Sequence, residues 1–465
     1  MPRLLRPALL LLLATMASLF AADGGAGLST ATNAPELFGI PIEFILFGLT
    51  LLGVALFHHH TLRVGLIGLA VVTIYKLGFT SFTADHVAGF TGLGQQIGHE
   101  WVTLVNLLGL LLGFDILAHH FSSSKVPAIL PRFLPSGRWG AFVLLVLVFV
   151  ISSFLDNIAA AIIGGTVAAT VFKGKVHVGY LAGIVAASNA GGSGSVVGDT
   201  TTTMMWIAGV APSEVLHAYV AAVVALIICG TVAANQQHRY HPIAVDADPT
   251  LRVDGVRLLI VALILASAIA ANVIINVHFL AYAGSFPWIG VAVWLAILVT
   301  APLRKPHWIG LPVAARGACF LLSLVLTASM MPVEHLPAAS WPTAFGLGFV
   351  SAVFDNIPLT KLALTQGGYD WGVLAFCVGF GGSMLWFGSS AGVAIANTFP
   401  QAKSVGSWLR HGWHVMVAYV IGFAVIMLVL GWHPSASKQA APAAHGAGHP
   451  AGEAPPAAPA AAPVP

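Results

Sequence analysis

Apolar runs of helical length recur down the chain, near residues 37–57, 62–81, 101–121, 178–210, 214–234, 256–276, 287–303, 309–330, 371–398 and 411–432, with short polar or basic loops between them. About 20 apolar residues let a helix cross the hydrocarbon core, whereas the strands of a membrane barrel read as shorter alternating segments. The pattern predicts an all-α polytopic membrane protein with about ten transmembrane helices. Two more apolar segments, 139–172 and 341–367, each carry a polar pair: "LDNIAA" at 155–160 and "FDNIPL" at 354–359. Each is long enough to enter a membrane and turn back at that pair. Non-helical backbone at membrane depth is tolerated only inside protein or beside a watery cavity, so both segments read as re-entrant hairpins.

The two ends follow other patterns. Residues 1–22 combine a basic start with an apolar core and small residues near the end, which reads as a secretory signal peptide or else an uncleaved first helix. From 434 to 465 the chain is rich in proline and alanine, a composition that buries no core and predicts a disordered tail.

Composition narrows the class. The 465 residues are 58% hydrophobic and 8% charged, against roughly 25% charged in a soluble domain. A net charge of +3, scattered through loops, gives no footprint for nucleic acid. Cys229, Cys319 and Cys377 fall in apolar runs without metal-ligand or disulfide spacing and read as core residues.

The basic residues set an orientation, because Lys and Arg in short loops favour the cytoplasmic side. With the mature N-terminus outside, the inner loops hold Arg63, Lys125, Arg132, Arg138, Lys173, Lys175, Arg239, Arg252, Arg257, Arg304, Lys305, Lys403 and Arg410, while loops 277–286 and 331–340 hold none. That distribution requires hairpin 139–172 to open to the cytoplasm and hairpin 341–367 to the outside, and it leaves the C-terminus outside. The expected location is a bacterial-type inner membrane.

A second motif repeats in the same order as the hairpins. "GGSGSVVGDT" at 191–200 matches "GGSMLWFGSS" at 381–390 as Gly-Gly-Ser, four residues, Gly, then a polar pair. Two motifs in matching order, in halves of opposite expected orientation, predict the inverted repeat of a secondary transporter. The first repeat is placed at 37–234 and the second at 256–432. Gly191, Gly192 and Gly198 in one half, and Gly381, Gly382 and Gly388 in the other, are expected to interrupt membrane helices and free backbone groups for ions.

The chemistry centres on carboxylates where none is cheap. Each costs roughly 2.5–3.5 kcal/mol at the bilayer centre on insertion scales, so Asp156, Asp199 and Asp355 must be protonated, paired or ion-bound. Burial raises a carboxylate's proton affinity and a bound cation lowers it, so one site can hold either. Asp156 and Asp355 are therefore candidate ligands for a transported sodium ion. Asn157, Asn356, Ser188, Asn189 and Thr200 supply neutral oxygens nearby, and Asp199 is a further candidate ligand whose other reading is a helix cap. Lys361 is a deep cation and a candidate charge partner for an aspartate or an anionic substrate.

"SNAGGSGSVVGDTTTTMMWI" at 188–207, the paired "DNI" hairpins and "GSSAGVAIANTF" at 388–399 resemble the NhaD-type sodium/proton antiporters of the ion transporter superfamily. That superfamily also holds sodium-coupled carboxylate transporters and arsenite pumps. The close match covers about 150–210 and 350–400 and implies that hairpin tips and broken helices form the ion sites. Carried over by position, it adds Ser389 and Ser390 to the residues above, and it suggests a homodimer. Carboxylate-transporting relatives have neutral tips, whereas this chain has Asp-Asn at both, which favours cation exchange. Ser389 stands where the first half has Asp199, and Lys361 is outside the antiporter pattern.

The sequence thus reads as a secondary transporter and not an enzyme, with no cofactor beyond the transported sodium ion and proton. The alternative substrate is a di- or tricarboxylate or an arsenite-like anion. An intramembrane aspartyl protease is disfavoured, since "SVVGD" at 195–199 lacks the earlier glycine of a Gly-x-Gly-Asp motif.

Overall fold

The computed structural model describes residues 35–435, apart from 38, 58–59, 81, 83–87, 244–251, 280–281 and 283. The expected leader at 1–22, the tail from 436 onward and His58 and His59 lie outside the described residues. A two-stranded antiparallel ribbon, β1 (Glu36–Leu37) and β2 (Ile40–Pro41), precedes the helices.

The first series of helices is α1 (Ile42–Leu56), α2 (Thr61–Phe79), α3 (Gly89–Ser123), the close pair α4 (Arg138–Ser152) and α5 (Asn157–Val171), then α6 (Val178–Ser193), α7 (Thr200–Ile207) and α8 (Ala218–Tyr240). The second repeats these kinds in order: α9 (Gly255–His278), α10 (Trp288–Thr300), α11 (Leu311–Ser329), the pair α12 (Trp341–Ser351) and α13 (Asn356–Gln366), α14 (Trp371–Gly381), α15 (Ser390–Thr398) and α16 (Val405–Val429). Single turns of helix fill some of the links.

Among the described residues, six helical stretches are long and apolar enough to cross a bilayer: Thr61–Phe79, Gly89–Ser123, Pro212–Tyr240, Gly255–Ile275, Trp308–Ser329 and Val405–Val429. Shorter apolar helices accompany them. Large apolar side chains such as Ile74, Val299, Val313 and Leu428 are exposed on the helix surfaces, as a lipid solvent permits. The chain is a multi-pass helical membrane protein.

Hydropathy understated α3. Its first turns read "GFTGLGQQIGHE", too polar for an apolar window, yet the helix runs 35 residues, about 52 Å at 1.5 Å per residue. Gln96 there donates to the Ser329 carbonyl at 3.1 Å, tying the polar extension to the end of α11.

Helix packing relies on small residues, because lipid offers no hydrophobic incentive for helices to associate. On α8, Ala221, Ala222, Ala225 and Ala233 are fully buried. A Cβ on Gly183 of α6 would sit 2.7 Å from the Ala233 Cβ, and one on Gly412 of α16 would sit 3.0 Å from the Ala182 Cβ. Of the three cysteines, Cys229 and Cys377 are buried, but Cys319 is exposed on α11, a correction to the core reading: an apolar run in a membrane helix need not face protein.

The two helix pairs open toward opposite ends of α8, which is about 34 Å long. At the C-terminal end of α8, Gln237 donates to the Lys175 carbonyl just beyond α5, and Gln236 to the His411 carbonyl of α16. At its N-terminal end, a Cβ on Gly372 would meet the Glu214 carbonyl and His217, so the α13–α14 link lies there. Asp254 joins the first of these ends: it caps α9, holds Arg304 at 3.0 Å, and its amide bonds the Ser124 carbonyl. The Arg304 hydrogen bond holds the Asp254 carboxyl below its usual range.

Candidate functional site

The turn inside each helix pair is built by its aspartate. Asp156 accepts from the Ile158 amide at 3.2 Å and starts α5; Asp355 accepts from the Ile357 amide at 3.1 Å and starts α13. Such side chains satisfy amides that the first helical turn leaves unpaired. Asp199 does the same for α7 through the Thr201 amide at 3.1 Å, and Ser389 for α15 through the Gly392 amide at 3.3 Å. Four helix starts thus each carry a side-chain oxygen at the tip.

Three of the six motif glycines depart from the expectation. Gly191 and Gly192 lie within α6, and Gly381 is the last residue of α14, so these three do not interrupt a helix; Gly198, Gly382 and Gly388 lie in the interruptions themselves. The role common to all six is close approach. A Cβ on Gly191 would fall on the Phe149 carbonyl of α4, and one on Gly381 on the Gly348 carbonyl of α12. Likewise Gly192 and Gly382 each leave 2.7 Å between a built Cβ and the carbonyl of Gly198 or Gly388 across the gap. The hydrogen bonds repeat too: Ser152 donates to the Ser188 carbonyl and Ser351 to the Val378 carbonyl, both at 2.6 Å.

The polar centre links both halves. Asn157 at the first turn donates to Asn189 Oδ1 at 3.1 Å, and Asn189 in turn donates to Ser383 at 2.9 Å and Ser389 at 3.0 Å across the second interruption. Asn356 at the second turn donates to Asp199 Oδ2 at 3.3 Å. Ser390 donates to Asp355 Oδ2 at 3.1 Å. Asp199 lies within electrostatic reach of both Asp156 and Asp355. Asn157, Ser188, Asn189, Asp199, Asn356 and Ser389 are all buried, the last at the base of the second interruption.

Sequence reasoning missed Ser383 and Gly379. A Cβ on Gly379 would lie 3.3 Å from the Ser193 Cβ and 3.6 Å from Asp199 Oδ2, so α14 passes the first interruption at this glycine. The repeat held the signal: Gly379 stands where the first half has Asn189, and Ser383 is the serine of its Gly-Gly-Ser.

A cavity of about 370 Å³ opens beside this centre. Asp156, Asp199 and Thr200 line one part of it, and α3 lines its length from Leu107 to Asp115, His119 and Ser122, toward the basic end of the bundle. Its lining includes no Lys or Arg. Asp355 is not part of the lining. Carboxylate and hydroxyl oxygens are the donors a hard cation takes. Among the described residues, no cluster of three or more His, Cys, Asp or Glu is placed to hold a resident metal. Thr202 and Thr203 bond the Asp199 carbonyl, both at 2.9 Å, and so serve the backbone.

Lys361, read from the sequence as a candidate charge partner, reaches a carboxylate of another helix. Its ammonium pairs with Glu100 of α3 at 2.7 Å, and its side chain is 2% exposed. Breaking a buried pair leaves a charge without compensation, at a cost of about 3–5 kcal/mol. Lys361→Met should therefore lower the thermal unfolding midpoint in detergent markedly, and adding Glu100→Gln should recover part of the loss. Equal midpoints for wild type and Lys361→Met would contradict this.

No protein-family model matches the chain. Curated proteins do. Sodium/proton antiporter 1 of Arabidopsis thaliana is 27% identical over 333 residues, covering 63% of this chain and 54% of that protein. Sodium/proton antiporter 2 of the same plant is 25% identical over 338 residues, covering 63% and 74%. The Na(+)/H(+) antiporter NhaD of Alkalimonas amylolytica is 27% identical over 327 residues, covering 60% and 66%. The chain thus spans about half the length of the first. The resemblance read from the motifs stands on these matches as well.

Proposed function

From this likeness to NhaD-type sodium/proton antiporters, we propose that the chain is a secondary transporter exchanging a monovalent cation, sodium or lithium, for protons. The observation that carries the reading is that Asp156 and Asp199 face one cavity beside the interruption between α6 and α7. There a cation and a proton compete for the same oxygens. The proton must leave as the cation arrives and return as the cation departs. Asn157, Ser188, Asn189, Thr200, Asn356, Ser389 and Ser390 hold those carboxylates in place or add neutral oxygens.

An inverted repeat, 37–234 and 256–432, with hairpins 139–172 and 341–367, is part of the proposal. The doubled hydrogen bonds and glycine contacts support it, as do helix pairs opening to opposite ends of α8. Lys and Arg favour cytoplasmic loops, which supports assigning the first of those ends to the cytoplasm of a bacterial-type inner membrane, with mature N- and C-termini outside. A reporter at Glu334 or after Pro465 should then appear outside, and one near Ala244, beyond the described residues, inside. A cytoplasmic reporter after Pro465 would overturn the repeat. A homodimer is proposed from the resemblance alone.

A carboxylate-lined cavity without Lys or Arg speaks for a cation over an anion. Purified protein in vesicles loaded with a pH-sensitive dye tests this. Sodium or lithium should drive proton movement and a dicarboxylate should not; a response to dicarboxylate alone would reverse the assignment.

A further inference from the structure

Building on the antiport reading, we propose that Asp115 is a waiting site for the cytoplasmic cation, one step before Asp156 and Asp199. Asp115 sits in the interior of α3, where it caps no helix. It lines the same cavity as Asp156 and Asp199, nearer the basic end. Its Oδ2 is buried with no hydrogen-bond partner, and a Cβ built on Gly310 would lie 3.7 Å from it. A buried carboxylate oxygen without a donor is a standing cost unless a proton or cation compensates it.

The surroundings suit transient occupancy. Asp115 is close enough to Asp156 to interact electrostatically. Three carboxylates along one narrow space, walled by apolar side chains such as Leu107, Phe114 and Leu321, focus field lines and attract cations from the mouth. One turn beyond Asp115, His119 stacks on His307 with ring centroids 4.1 Å apart, and both rings are within electrostatic reach of the carboxylate. His119, with His307 stacked on it, thus stands at one end of the lining, Asp115 a turn further in, and Asp156 and Asp199 beyond it. A cation passing through several weak sites is neither excluded nor trapped.

The test uses everted membrane vesicles, which present the cytoplasmic face to added sodium, with wild type, Asp115→Asn and Asp115→Glu. Asparagine keeps size and removes charge, so the sodium KM at this face should rise about tenfold while the maximal rate is retained, the size that electrostatic focusing supplies. Glutamate should restore a KM close to wild type. Unchanged KM in Asp115→Asn, or an equal loss in both variants, would overturn the waiting site. If wild-type vesicles move no protons on adding sodium, it is the antiport reading that fails.

Discussion

Asp156→Asn and Asp199→Asn should each cut sodium-driven proton exchange by on the order of a hundredfold or more, as expected when a group that must exchange its proton is removed. Both variants should still fold. The amide oxygen of asparagine can accept from the Ile158 or Thr201 amide as the carboxylate does, so the helix starts at α5 and α7 survive. What asparagine cannot do is release a proton to a cation. Rates measured in reconstituted vesicles at matched protein content separate these effects. Asp355→Asn is the informative comparison, because Asp355 already accepts from the Ile357 amide and Ser390 and does not line the cavity. Its loss should be smaller than that of the other two. Near-normal exchange in both Asp156→Asn and Asp199→Asn would reduce these aspartates to helix caps.

The second large effect concerns backbone approach. Gly191→Ala and Gly381→Ala each place a methyl group on a carbonyl of the neighbouring hairpin helix, Phe149 or Gly348. Neither partner is a flexible side chain, so the hairpin must shift away from the helix beside it. Overpacking of this kind costs about 1–3 kcal/mol or more, and here it also displaces the aspartate at the hairpin tip. Both variants should lose transport, and their unfolding midpoints should fall together. Gly98→Ala in α3 is the control, since nothing lies within 4 Å of its built Cβ. Alanine there should be neutral or stabilise by about 0.5–1 kcal/mol. Normal transport in both Gly191→Ala and Gly381→Ala would mean that the hairpins do not dock where the backbone contacts place them.

Helix positions were legible wherever hydropathy alone decides them. The two Asp-Asn turns were legible because a polar pair in an apolar run is too costly to keep unless the chain turns or binds an ion there. The polar start of α3 was not, since "GFTGLGQQIGHE" is ordered by contacts such as Gln96 with Ser329 rather than by its own apolar content. The glycines were found but misread: Gly191 and Gly192 are helical, and their missing side chains matter to a neighbour that sequence does not place. Lys361 was found as a deep cation, yet its pairing with Glu100 joins residues 261 positions apart. Asn189 was legible only as a neutral oxygen beside the first motif. Only the fold carries its amide to Ser383 and Ser389 of the other half.

The central claim is that proton and cation share the carboxylate oxygens at Asp156 and Asp199. The most direct measurement is sodium binding to the purified protein across a pH series, with released protons recorded in weak buffer. Protonated carboxylates cannot hold the cation, so affinity should weaken as pH falls, and sodium binding should release protons throughout the range where affinity depends on pH. Asp156→Asn should abolish or sharply reduce both effects. Sodium binding of constant affinity across the series, with no proton released, would contradict the account.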